Sequence, residues 1–164
     1  MNFKADAELV TYDNRFREAF ASLNYRWIEA YFEVEDEDRK ALENPEGYAI
    51  DPGGEIFFVL VAGEPVGTVA MVPHGPPHAP TQVFELAKMA VDPAHQGQGY
   101  SSLLMHACID YARAQGAQEI MLVTNDVLAP AMGLYQSAGF TAVEIKDARY
   151  SRGNTEMRLD LSAC

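Results

Sequence analysis

A strand-like apolar run, Val83 to Val91, stops at Asp92-Pro93; a loop carrying Gly97 and Gly99 follows, and an amphipathic helical pattern begins at Tyr100. This arrangement aims free backbone N–H groups and a helix N-terminus at one point in space, which suits a phosphate. Glycines permit the close backbone approach and the unusual φ that such a loop needs. The same residues also make a plain strand-to-helix turn, and the loop alone does not decide between the two. Within the preceding run, Glu85 is the sole carboxylate among apolar and small residues. Strand alternation puts it on one face with Ala87, Met89 and Val91. There it can serve proton transfer or sit solvated near a strand end.

The elements that must position these residues are legible from periodicity. Glu8 to Tyr12 reads as a first strand. Asn14 to Phe32 follows as a helix, with Phe16, Phe20, Leu23, Trp27, Ile28 and Tyr31 at helical spacing. Glu35 to Leu42 is a second, acidic helical piece, closed by Asn44-Pro45 and a turn at Pro52-Gly53-Gly54. Ile56 to Ala62 and Val66 to Val72 form a hairpin through Gly63-Glu64-Pro65. Four prolines between Pro73 and Pro80 predict a loop across that whole segment. After the strand Val83–Val91 come a helix Tyr100–Gln115 stopped by Gly116, a strand Ile120–Thr124, and a short helix Pro130–Ser137. Strands Phe140–Ile145 and Thr155–Leu161 end the chain. Helices separate some strands while others pair directly, so a mixed sheet with helices on its faces is expected.

The chain has 164 residues, 48% of them apolar and 22% charged, which predicts one globular domain spanning 1–164. Its net charge of -12 argues against nucleic acid or an anionic membrane as a partner, because both need a cationic footprint. It would suit a cationic substrate such as an amine, although acidic surfaces also serve solubility. Met1 to Val10 lacks the apolar core of a signal peptide, and the longest apolar run, Ile56 to Ala62, is too short to span a bilayer. A cytoplasmic protein is expected. Cys108 and Cys164 make no disulfide framework, and His74, His78, His95 and His106 lack ligand spacing, so no metal is expected.

Two motifs carry a resemblance. Gln96-Gly97-Gln98-Gly99-Tyr100-Ser101 is similar to the pyrophosphate loop of the GNAT superfamily of acetyl-CoA-dependent N-acetyltransferases, Gln/Arg-x-x-Gly-x-Gly/Ala, except at its last position. Asn125 through Pro130-Ala131-Met132-Gly133-Leu134-Tyr135, followed by Gly139-Phe140, resembles that family's second motif. The two stand in the family's order, separated by one helix and one strand, and the likeness covers Ile56 to Leu161. It implies an α/β (α+β mixed) fold: a central mixed, mostly antiparallel sheet of about seven strands with helices on both faces.

The resemblance also implies roles. Acetyl-CoA is the implied co-substrate and an amine the implied acceptor, joined by direct attack in a ternary complex. Glu85 would act as base, directly or through water, and the backbone N–H of Met89 would face the acetyl carbonyl. Val91 would pair with the pantetheine arm. Gln96, Gly97, Gln98, Gly99, Ser101 and Ser102 would hold the pyrophosphate, and Asn125 would contact cofactor or fix its loop. Tyr135 would give its proton to the departing thiolate, a phenol of pKa about 10 being well matched to that task. Its place four residues after Ala131 also fits a core aromatic. Acceptor selection would fall to Trp27, Tyr31, Glu33 and Tyr150, and the acidic cluster Glu33–Asp38 is expected to be mainly a solvated helix face.

Two departures bear on affinity. Ser101 adds a hydroxyl where the family has Gly or Ala, and the loop carries Gln96 and Gln98 instead of a basic residue. Phosphate binding would then rest on backbone amides and the helix dipole, worth ~1 kcal/mol. A competing reading of another class is a non-catalytic acyl-CoA sensor or interaction module, which would make no use of Glu85 or Tyr135. A nucleotide-binding domain fits poorly, since the loop has neither a Walker lysine nor a third glycine. The family also leaves a homodimer open.

Overall fold

Strand β2 (Glu55–Val61) shows why the sheet has two cores. Its Phe57 and Val59 enter one buried cluster, while Ile56, Phe58 and Leu60 enter the other, as a period of two requires. The computed structural model describes residues 7–76, 81–126, 128–143 and 153–162. The remaining strands are β1 (Ala7–Thr11), β3 (Glu64–His74), β4 (Val83–Val91), β5 (Glu119–Thr124), β6 (Thr141–Val143) and β7 (Thr155–Asp160). They form one seven-stranded sheet in the order β1-β2-β3-β4-β5-β7-β6. Only β4 and β5 run parallel; the other neighbours are antiparallel.

The helices are α1 (Arg17–Tyr31), α2 (Asp36–Leu42), α3 (Tyr100–Ala114) and α4 (Ala129–Ala138). Phe16, Phe20, Ile28 and Leu42 bring α1 and α2 to the face carrying Phe58. Leu104, Met105 and Cys108 of α3 pack on the opposite face with Phe84 and Leu86, and Leu134 and Tyr135 of α4 lean on that same core. Fully burying a Phe such as Phe58 or Phe84 stabilises the fold by ~1.5–3 kcal/mol. This is the mixed, mostly antiparallel sheet with helices on both faces that the sequence implies. Among the described residues no helix is long and apolar enough to cross a membrane.

Three local features differ from expectation. Strand β3 continues through Pro73 and His74, which pair with Phe84 and Val83 of β4. Its β2 neighbour ends opposite Met71, so on that side Pro73 has no ladder bond to donate. A five-residue π-helical turn, Glu46–Ile50, fills the segment after Pro45. Most consequential is a bulge in β4. Thr68 pairs with Ala90 but Ala70 pairs with Ala87, so Lys88 and Met89 together oppose Val69, and Lys88 takes φ +58°.

The bulge reverses the strand's parity. Phe84 and Leu86 face the α3 core, and beyond the bulge Val91 lies in that core with Met89 packed against it. Glu85 and Ala87 therefore face α1, and Met89 and Val91 do not share their face. Simple alternation fails there because the extra residue shifts every later side chain by one position.

Candidate active site

The site begins with a gap in the sheet. The β4–β5 ladder consists of Val83–Glu119, Phe84–Ile120 and Glu85–Met121, and beyond Glu85 the β4 edge has no strand partner on that side among the described residues. An inner cleft of about 110 Å³ opens there, lined by Glu85, Met89, Thr124, Asn125 and residues of α1 that include Asn24. An outer groove of about 590 Å³ continues along Val91 to the loop before α3. The two share Trp27, Phe32, Met89, Leu128, Ala131 and Tyr135. They are two halves of one passage, and the bulge sits at their junction.

The loop is shaped by short-range bonds. Asp92 accepts from the Ala94 amide at 3.0 Å, and Pro93–His95 forms one 3-10 turn. Gly97 (φ +79°) and Gly99 (φ +84°) then turn the chain into α3. A Cβ on Gly97 would meet nothing within 4 Å, so backbone conformation rather than space demands glycine there. The first amides of α3 have no acceptor within the helix, and Ser101 and Ser102 line the groove beside them. Arg26 of α1 reaches Asp92 at 3.2 Å and ties the loop to the helix opposite.

Tyr135 occupies the wall common to both cavities. Pro130 in the first turn of α4 and Gly139 (φ +104°) at its end fix the helix, and Phe140 packs 6.1 Å from the Tyr135 ring. Burial, reinforced by the nearby Cys108, pushes the Tyr135 hydroxyl up to about 12. It therefore keeps its proton throughout the neutral range. Burial alone raises the Cys108 thiol still further, so Cys108 is an inert core residue. Glu85 is 6% exposed, an uncommon setting for a carboxylate.

The other residues singled out from sequence divide clearly. Met89, Val91, Gln96, Gly97, Gly99, Ser101 and Ser102 line the groove, whereas Gln98 is exposed and lines neither cavity. Asn125 lies in the inner cleft, away from the loop, and its carbonyl accepts from the Leu128 amide at 3.1 Å. Trp27 lies between both cavities, with Tyr31 and Phe32 rings 5.5 and 6.2 Å away. Glu33 is exposed and lines neither. Tyr150 lies outside the described residues. The acidic cluster is not wholly solvated: Asp38 is fully buried and meets Lys88 Nζ at 2.9 Å. Among the described residues no group of three or more His, Cys, Asp or Glu could hold a metal.

Sequence reasoning missed Asn24, Lys88 and His95, all of which border this passage. Asn24 could have been found, because it interrupts the buried stripe of α1 between Phe20 and Ile28. The partnership of Lys88 with Asp38 spans 50 positions and leaves no local signal.

A family model described as the acetyltransferase (GNAT) family matches residues 20–140. The chain belongs to the GNAT family. Among curated relatives, N-acetyltransferase 8B of Homo sapiens is 39% identical over 88 residues, 53% of this chain and 39% of that protein. N-acetyltransferase 8 of Rattus norvegicus is 32% identical over 93 residues, 57% of this chain and 42% of that one. The match thus spans only about two-fifths of these relatives' length. In fold, the chain is similar to a GNAT-family acetyltransferase of Staphylococcus aureus Mu50, with TM-score 0.83 at 18% identity over 94% of this chain and 99% of that one. It is also similar to Salmonella typhimurium yncA with its cofactor acetyl-CoA, with TM-score 0.73 at 19% identity over 97% and 96% of the two chains.

Proposed function

We propose that this chain is an acetyl-CoA-dependent N-acetyltransferase that passes the acetyl group to a primary amine by direct attack in a ternary complex. One observation carries the reading: a groove lined by Gly97, Gly99, Ser101 and Ser102 and a cleft holding a buried carboxylate meet at Met89 and Tyr135. The residues fit the cofactor. Left-handed glycines, the free first-turn amides of α3 and two serines suit a pyrophosphate, and the unpartnered edge of β4 suits an amide-bearing arm. Acetyl-CoA supplies an activated thioester.

The chain's own groups divide the remaining work. Glu85 takes the proton that makes the amine nucleophilic, directly or through one water. The Met89 amide, at the bulge, donates to the carbonyl oxygen as negative charge develops on it. Tyr135 keeps its proton and donates a hydrogen bond to the departing sulfur. With its pKa at about 12, outright transfer to a free thiolate is uphill, so the hydrogen bond rather than a completed transfer gives most of the benefit.

The test is a calorimetric titration with acetyl-CoA beside acetyl-CoA lacking its 3′-phosphate, followed by thiol release with a panel of amines. Binding with amine-dependent thiol release supports the reading. Similar affinity for the two ligands is expected, because the loop offers no basic side chain between Gln96 and Ser102. Absence of binding overturns the reading. Binding without turnover of any amine favours a sensor.

A further inference from the structure

Asn24 sits in the middle of α1 and is 1% exposed. A polar amide is a poor choice for a buried helical face unless it is satisfied or used. Half of it is satisfied: Nδ2 donates to the Phe20 carbonyl one turn earlier at 3.0 Å. That bond fixes the orientation of the carboxamide, since only its NH₂ end can donate to a carbonyl. The oxygen end has no partner among the described residues. Yet the only wholly occluded, unpartnered side-chain nitrogen or oxygen among them is His95 Nδ1. The Asn24 oxygen therefore keeps an opening, and the space its residue lines is the inner cleft.

Besides Asn24, the polar groups lining that cleft include Glu85, Thr124, Asn125 and Tyr135. Asn24 Oδ1 can only accept hydrogen bonds, and so can an ionised Glu85 on the β4 wall. Lys88 also borders the cleft, but its ammonium is engaged by Asp38. Trp27, Ile28 and Phe32 supply apolar walls. An amide oxygen open to the cleft calls for a ligand that brings it an N–H donor. A primary ammonium has three, enough to meet the Asn24 oxygen and to lose one proton before attack.

We propose that the Asn24 carboxamide oxygen accepts a hydrogen bond from the acceptor's ammonium group and makes the inner cleft selective for primary over N-methylated amines. This rests on the acetyltransferase reading above, with Asn24 as the residue that holds the nucleophile while Glu85 relieves it of a proton. The Phe20 bond keeps the oxygen aimed before substrate arrives, so little ordering remains to be done on binding.

The experiment measures binding by calorimetry, on protein saturated with coenzyme A, of butylamine and phenethylamine and of their N,N-dimethyl counterparts. Wild-type protein is expected to prefer the primary amines by roughly ten- to hundredfold, the range for a hydrogen bond to a charged group. Asn24→Leu is expected to abolish that preference while coenzyme A binds as before. Asn24→Asp keeps an oxygen in the cleft but loses the Phe20 bond, and is expected to retain the preference. Preference retained by Asn24→Leu, lost equally by both variants, or absent in wild type at millimolar amine overturns the proposal. Failure of wild-type protein to bind coenzyme A fells the acetyltransferase reading, and this inference with it. Coenzyme A binding without amine preference fells this inference alone.

Discussion

Lys88 Nζ lies 2.9 Å from Asp38 Oδ1, with the two side chains 6% and 0% exposed, at the bulge where β4 reverses its parity. Lys88 holds a left-handed backbone conformation that costs a non-glycine residue ~1–2 kcal/mol. Its ammonium is anchored in α2, where Asp38 Oδ2 also accepts from the Glu35 amide at 2.8 Å in a capping box. The pair thus fixes the residue immediately before Met89. Removing one partner takes this ion pair away from a buried charge. Lys88→Met and Asp38→Leu should each cost ~3–5 kcal/mol in urea denaturation, and the double variant Lys88→Met/Asp38→Leu clearly less than their sum. In the double variant, kcat should fall more than acetyl-CoA affinity, because the bulge has lost its anchor.

Tyr135→Phe removes only the hydroxyl from the shared wall. Turnover should fall by ~10²-fold, the lower range for an acid–base group, while acetyl-CoA affinity changes little. Burial raises Tyr135 from 10.0 to about 12, so its ionisation places no alkaline limb on the wild-type rate below about pH 11. The same shift bears on stability. Below pH 10 Tyr135 is protonated in both folded and unfolded chains, and its contribution is intact. As pH rises from 10 towards 12 only the unfolded chain releases the proton, so stability declines across that window. Alkaline denaturation of the Phe variant should lack this part of the decline.

Glu85→Gln keeps the shape of the inner cleft and removes the proposed base. The rate should drop by ~10²–10⁴ where the amine is largely protonated, and the deficit should shrink as rising pH deprotonates the amine unaided. A pH–rate profile of the variant beside wild type measures this. A deficit that stays constant across the range would remove Glu85 as the base.

Gly97→Ala adds a methyl group to open space at φ +79°. The penalty is therefore in the backbone, ~1–2 kcal/mol, and the loop relaxes to avoid it. Acetyl-CoA should bind roughly tenfold more weakly, with the thermal midpoint nearly unchanged. Calorimetry and a melting curve together separate this from general destabilisation.

Periodicity made the elements legible. Alternation in Ile56–Leu60 and helical spacing from Phe16 to Ile28 lead directly to the two cores, and the order of strands and helices in the sheet follows. The loop glycines and Tyr135 were legible as one groove's lining because the motifs that carry them are short-range. What escaped depends on tertiary context. No sequence rule places a bulge at Lys88 rather than a residue on, and with it went the face of Met89. Pro73 reads as a strand breaker until β2 is seen to stop short beside it. Asp38 reads as one more surface acid until α2 is docked onto β4.

The seam between β4 and β5 has a mechanical meaning. Three residue pairs join the two strands, whereas β5 and β7 share six and β2 and β3 share seven. Load passing from β1–β4 to β5–β7 must run through that short stitch, aided by α3 lying across the same face. If the proposed cofactor arm lies along the open edge, it should lengthen the stitch and couple the melting of the two halves. On that reading the cofactor would be a structural splint as well as a reactant, and its release would loosen the molecule along one defined line.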